Sequence, residues 1–126
     1  MNDPPADPAP SHRKEIMIPQ IFAEIEEKIR SAESLNPERK RQLLQLLATL
    51  KTEILHLSRS DHDQAQSIAG FAHTSTHEAT REKQNPALLQ HSLDGLRASV
   101  AGFEQSHPRL FQIVNRLCNM LSDLGI

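Results

Sequence analysis

The chain has 126 residues, which is room for one domain with a modest core. It has four phenylalanines and no tryptophan or tyrosine, and this shortage of aromatic residues argues against a β-sheet. The formal net charge is −2, with acidic and basic residues mixed along the chain; because nucleic-acid binders usually carry a basic face, we expect no nucleic-acid partner.

Targeting signals are also missing from the sequence. No apolar run reaches the roughly 18 residues needed to cross a bilayer, and the N-terminus lacks the apolar centre of a secretory signal. The one cysteine excludes an internal disulfide. These features predict a cytoplasmic protein with no membrane partner.

A proline-rich segment opens the chain. Four of the eight prolines lie within residues 1–15, among small and polar residues that cannot bury enough apolar surface to offset ordering. We predict a disordered tail over residues 1–15 and a single helical bundle domain over residues 16–126.

Two segments at helical spacing come next. The first runs from about Ile18 to Ala32, and the second follows Asn36 and Pro37, which are typical of an N-cap and a first helical residue. Their apolar faces are formed by Ile18, Ile21, Phe22, Ile25 and Ile29, and by Leu43, Leu47, Leu50, Ile54 and Leu57. The short connection predicts an antiparallel helical hairpin.

A third helical stretch, to about Glu82, has a thinner apolar face. It consists of Ala65, Ile68, Ala69, Ala72, Thr76 and Ala79. Small residues bury little area, so we expect the least stable element here, either packed closely on a neighbour or partly mobile. The polar segment before it has no proline or glycine, so residues 37–84 can form one long helix or two.

The last forty residues carry a long heptad seam. Its members are Leu89, Leu93, Leu96, Val100, Phe103, His107, Leu110, Val114, Leu117, Leu121 and Leu124. The preserved register favours a kink at Ser106, His107 and Pro108, whereas helices usually end before a proline. Between these alternatives we predict two helices with a sharp bend.

Glycines mark two further points. Gly95 and Gly102 lie one heptad apart beside the seam, which indicates either close approach of another helix backbone or no particular role. Gly125 is placed to close the last helix in a left-handed conformation, with Ile126 packing back on Leu121.

The histidines are the main candidates for chemistry. His73 and His77 are four residues apart, so on a helix they share a face and can supply half of a zinc site. Phosphotransfer on a helix histidine is disfavoured, because Thr76 and His77 stand where that pattern has lysine and glycine. His107 is expected to be structural at the helix break, the alternative being a pH-sensitive joint. Cys118 is expected to be an inert, half-buried thiol.

Two stretches carry a family resemblance. The segments F-E-Q-S-H-P-R-L (Phe103 to Leu110) and L-S-D-L-G-I (Leu121 to Ile126) resemble a bacterial family known only as domain-of-unknown-function family 4404. The turn L-N-P-E-R (Leu35 to Arg39) is similar to that family's first hairpin, whereas residues 60–84 show no resemblance. The resemblance implies an all-helical bacterial protein and carries over no activity, cofactor or catalytic residue.

Taken together, the patterns predict an all-α fold, in which the hairpin and further helices form an up-down bundle. The leucine stripes look larger than a monomer of this size needs. We therefore expect a non-enzymatic interaction or scaffold protein that forms a homo-oligomer, such as a dimer, or binds a protein partner. The alternative is a metal-binding or regulatory module that uses His73 and His77. No sequence motif indicates an enzyme or a cofactor.

Overall fold

The computed structural model describes residues 17–125, which form five helices. They are α1 (Ile18–Ser31), α2 (Pro37–Leu57), α3 (His62–Thr80), α4 (Pro86–Ser99) and α5 (Pro108–Leu124), with a short 3-10 turn at Ala101–Phe103. These residues contain no strand, so the predicted all-α class is confirmed. The predicted disordered tail and Ile126 lie outside the described residues.

Side-chain caps define where three of the helices begin. The Oδ1 atom of Asn36 accepts the Arg39 N–H at 2.7 Å, and that of Asn85 accepts the Ala87 N–H at 3.1 Å. Asp61 caps α3 by accepting the Gln64 N–H at 3.1 Å. Residues 37–84 therefore form two helices, and an N-cap separates them although proline and glycine are absent.

Consecutive helices run antiparallel, as an up-down bundle requires. At one end, Gln64 at the start of α3 donates to the Ser99 carbonyl at the end of α4 (2.7 Å). Helices α2 and α5, which are neighbours in space but not in sequence, are also antiparallel. Glu53 Oε2, near the end of α2, lies 3.4 Å from Arg109 Nε at the start of α5. The helices close into a ring in the order α1, α2, α5, α4, α3, so α1 and α3 are parallel neighbours.

Helix α3 packs against more helices than any other helix of the bundle. It contacts all four other helices, whereas α1 contacts α2 and α3. Its alanines Ala65, Ala69 and Ala72 are fully buried, and their small side chains let the neighbouring helices approach closely. Of the two alternatives for the thin apolar face, close packing is the one found.

The apolar stripes meet inside the monomer. The five predicted residues of α1 are buried, as are the five predicted for α2. On α4 and α5 the seam is buried except at Phe103, His107 and Leu124, which are half-buried. We expected these stripes to be larger than one chain can bury. That expectation was wrong, because the five helices bury them in a single core.

The chain reverses between α4 and α5. Helix α4 ends at Ser99, and residues 100–107 make the connection. The Cys118 Sγ atom lies 4.0 Å from the Leu93 carbonyl oxygen, which places the two helices side by side. The two predicted helices are confirmed, and the alternative of one kinked helix is wrong: the heptad register continues because both helices face the same core.

Gly125 lies at the end of the last helix, as predicted, but the predicted left-handed conformation is wrong. Gly125 has φ −83° and ψ −1°, a right-handed conformation, and its N–H donates to the Ser122 carbonyl at 3.0 Å. A side chain bonds the preceding carbonyl: Gln84 Nε2 donates to Leu124 O at 3.1 Å. Gly125 instead allows close packing, since an added Cβ would lie 2.6 Å from Leu89 Cδ2.

Candidate functional site

The two predicted metal-ligating histidines lie on the side of α3 that faces α1. His73 Nε2 is 3.0 Å from Glu24 Oε1, so its partner is a carboxylate on the parallel helix. His77 is exposed one turn further along. Within residues 17–125, no group of three or more His, Cys, Asp or Glu side chains is arranged to hold a metal ion.

A groove of about 680 Å³ lies where α1 and α3 end. Its lining includes Lys28, Glu33, His77, Arg81 and Glu82. Arg81 forms an ion pair with Glu78, with 2.8 Å between Nη1 and Oε1. Because the groove mixes both signs of charge and is open to solvent, its electrostatics select neither anions nor cations.

A second groove, also about 680 Å³, lies at the start of α1. Met17, Pro19 and Leu55 give it a mainly apolar lining, to which His62 also belongs. Met17 is 63% exposed, so this apolar surface is open to water.

The residues predicted at the helix break have structural contacts. Pro108 is the first residue of α5, and the His107 carbonyl accepts the Phe111 N–H at 3.0 Å. The His107 ring packs edge-on against Phe103 with centroids 5.1 Å apart, and its Nδ1 lies 3.1 Å from Ser106 Oγ. Neither the His107 side chain nor that of Ser106 forms a hydrogen bond that caps α5. The structural role of His107 stays a prediction.

Cys118 is more deeply placed than expected. It is fully buried between α4 and α5, where half-burial was predicted. Burial raises the pKa of its thiol to about 11, with smaller opposing effects from Arg97 and Asp94. Since the thiolate is the nucleophile, this thiol is poorly reactive in the folded protein.

An exposed apolar surface on α3 and α4 was not identified from the sequence. Phe71 is 40% exposed and Leu88 44% exposed, although most large apolar side chains of the described residues are buried. We define the α3–α4 face as the outward surface formed by Ser67, Gly70, Phe71, Thr74, Leu88 and His91. The available signal was the position of Phe71, which falls to one side of the buried stripe of α3.

Gly95 adjoins this face and explains how Phe71 is seated. A Cβ added at Gly95 would overlap the Phe71 ring, so the glycine accommodates an aromatic side chain of α3. Of the two alternatives for this glycine, close approach of another helix backbone is therefore wrong in its detail, because a side chain fills the space. Around Gly102 an added Cβ would meet nothing within 4 Å.

These features define the class of the protein: over the described residues it is an all-helical, five-helix up-down bundle, with Phe71 of α3 and Leu88 of α4 partly exposed. None of the helices described over residues 17–125 is long and apolar enough to span a membrane.

Comparison with known families identifies the chain more closely. It belongs to the family described as Domain of unknown function (DUF4404), whose model matches residues 43–126, about two thirds of the chain. The match runs through residues 60–84, where the sequence had shown no resemblance, and begins after the Leu35 to Arg39 turn. Comparisons with curated proteins and with solved structures found no match.

Proposed function

We propose that the protein is a non-enzymatic helical interaction protein that associates with copies of itself. The observation that carries this proposal is the exposure of Phe71 and Leu88 on neighbouring helices of a bundle that buries its other apolar stripes. Aromatic and aliphatic side chains left in water on one surface are typical of protein–protein contacts.

The α3–α4 face also has the composition of an interface centre. Between Gln64 and His77, α3 contains no Asp, Glu, Lys or Arg. Depletion of charge with retention of aromatic residues distinguishes the centre of an interface from ordinary surface. The buried cysteine and the absence of an internal disulfide support a reducing, cytoplasmic setting as part of this proposal.

The test is the mass of the purified protein in solution over a range of concentrations. Sedimentation or light scattering should show the average mass rising from the 14.2 kDa of one chain towards twice that value. A mass that stays at one chain up to about 1 mM would contradict self-association, because interfaces weaker than that are not specific complexes.

A metal-binding module is the second candidate function. It is supported by the pairing of His73 with Glu24, two potential ligands 3.0 Å apart, with His77 one turn away. Zinc titration should then release heat and protons, and His73→Ala should abolish both signals. A titration without either signal would eliminate this candidate.

A further inference from the structure

We infer that the α3–α4 face is a twofold contact with a second copy of this chain, in which α3 crosses its symmetry mate at Gly70. This inference rests on the proposed self-association and names its surface and its geometry. Three features of the face lead to it: an unexplained glycine, a lack of formal charge, and the exposed apolar pair Phe71 and Leu88.

The glycine has no explanation inside the monomer. A Cβ added at Gly70 would meet nothing within 4 Å, whereas one at Gly95 would overlap Phe71 and one at Gly125 would press on Leu89. Gly70 lies inside α3, where glycine is less favourable than alanine. A second helix crossing at this point explains it, because the missing side chain lets two backbones approach.

The charge pattern favours a second copy over a different partner. In a twofold contact the same patch occurs on both sides, so any single charge near the axis faces its own repeat. The α3 part of the face has no Asp, Glu, Lys or Arg, and the nearest charges on α3 are Asp63 and Glu78 at its two ends. On α4 the exposed Asp94 lies 3.8 Å from Arg97, so its charge is paired within the chain. A neutral patch meets its copy without like-charge repulsion.

The exposed side chains complete the contact. With antiparallel α3 helices crossing at Gly70, Ser67 of one chain faces Thr74 of the other. Phe71 then packs beside the small residues of the second copy. The face is about 20 Å long and two helices wide, or roughly 400 Å² per chain. That is about half the area of a standard interface, so the dimer should be weak and dissociate on dilution.

Substitution of the glycine tests the crossing point. Gly70→Leu should raise the dimer dissociation constant about tenfold or more, because the new side chain fills the space between the helices. Gly102→Leu is the matched control: its Cβ also has open space, but it lies in the turn after α4. Sedimentation velocity of the three proteins measures the effect, and melting curves confirm that each is folded.

Charge pairs test the twofold arrangement. Because Ser67 and Thr74 face each other across the axis, Ser67→Lys with Thr74→Lys should abolish the dimer. Ser67→Lys with Thr74→Glu should retain it, because opposite charges then meet. Within one chain the two positions are about 10 Å apart, so the internal effect of either pair is small.

The outcomes separate the two proposals. If the wild-type protein is a monomer throughout, the proposed self-association fails, and this inference fails with it. If the wild-type protein associates but Gly70→Leu behaves like Gly102→Leu, or the two charge pairs behave alike, only the assignment to the α3–α4 face is overturned.

Discussion

Burial determines the chemistry of Cys118 at the scale of a single residue. Its position beside the leucine seam predicted an inert thiol. In the structure Cys118 is fully buried between α4 and α5, an environment in which a thiol reacts poorly. Its full burial was not predictable, because it depends on the reversal at residues 100–107 that brings α4 over it.

The raised thiol pKa predicts a loss of stability at alkaline pH. In the unfolded chain a cysteine ionises near pH 8.5, whereas in the folded protein its pKa is about 11. The contribution of this group to the free energy of unfolding is therefore fully present below the pKa of the unfolded chain. It is lost as the pH rises towards the pKa of the folded protein. We expect a loss of roughly 2 kcal/mol between pH 8 and pH 10 from this group.

Denaturant unfolding of the wild-type protein and Cys118→Ala at both pH values measures this contribution. The variant should lose less stability than the wild type over the interval. Equal losses in the two proteins would show that the thiol ionises normally.

Gly95 and Phe71 should be energetically coupled. Gly95→Ala alone forces the Phe71 ring outwards, so the usual gain of about 1 kcal/mol from replacing a helix glycine should be reduced or reversed. In a Phe71→Ala background the same substitution should give that gain in full. A double-mutant cycle by thermal unfolding of dilute protein measures the coupling, and equal effects in both backgrounds would contradict it.

At the scale of the elements, local signals predicted where helices begin better than how they end. Asn36 acts as the predicted cap, and Asn85 caps α4 in the same way, because an Asn-Pro pair specifies its neighbours directly. The end of α5 depends on Gln84, forty residues away along the chain, which bonds the Leu124 carbonyl. No local pattern contains that contact, so the left-handed glycine was predicted in its place.

In helix α3, the sequence pattern and the observed packing of the side chains differ most. Its alanine-rich face suggested a weak element, yet small residues are what allow one helix to touch four others. Ala72→Leu should therefore lower the unfolding free energy by about 1–3 kcal/mol, because the larger side chain has no space in the core.

Ala23→Leu provides the comparison, since Ala23 is exposed on α1 and the same change should cost less than about 0.5 kcal/mol. Chemical denaturation of the two variants measures the difference. Similar stabilities would mean that α3 is not closely packed.

At the scale of the whole molecule, the leucine stripes are buried within one chain, and we propose that the α3–α4 face contacts a second copy. The all-α class, the hairpin and most core positions followed from heptad spacing alone. The ring order of the helices and the exposed apolar pair did not, because spacing identifies an apolar face but not the partner that covers it. Phe71 is the example: its position beside the stripe became meaningful only with Gly95 opposite it.

Hydrogen exchange at low and high protein concentration tests this division most directly. We predict that concentration slows exchange in residues 64–78 and 88–98 and leaves α1, α2 and α5 unchanged. Slowing along α2 or α5, or no change anywhere in the chain, would contradict the account.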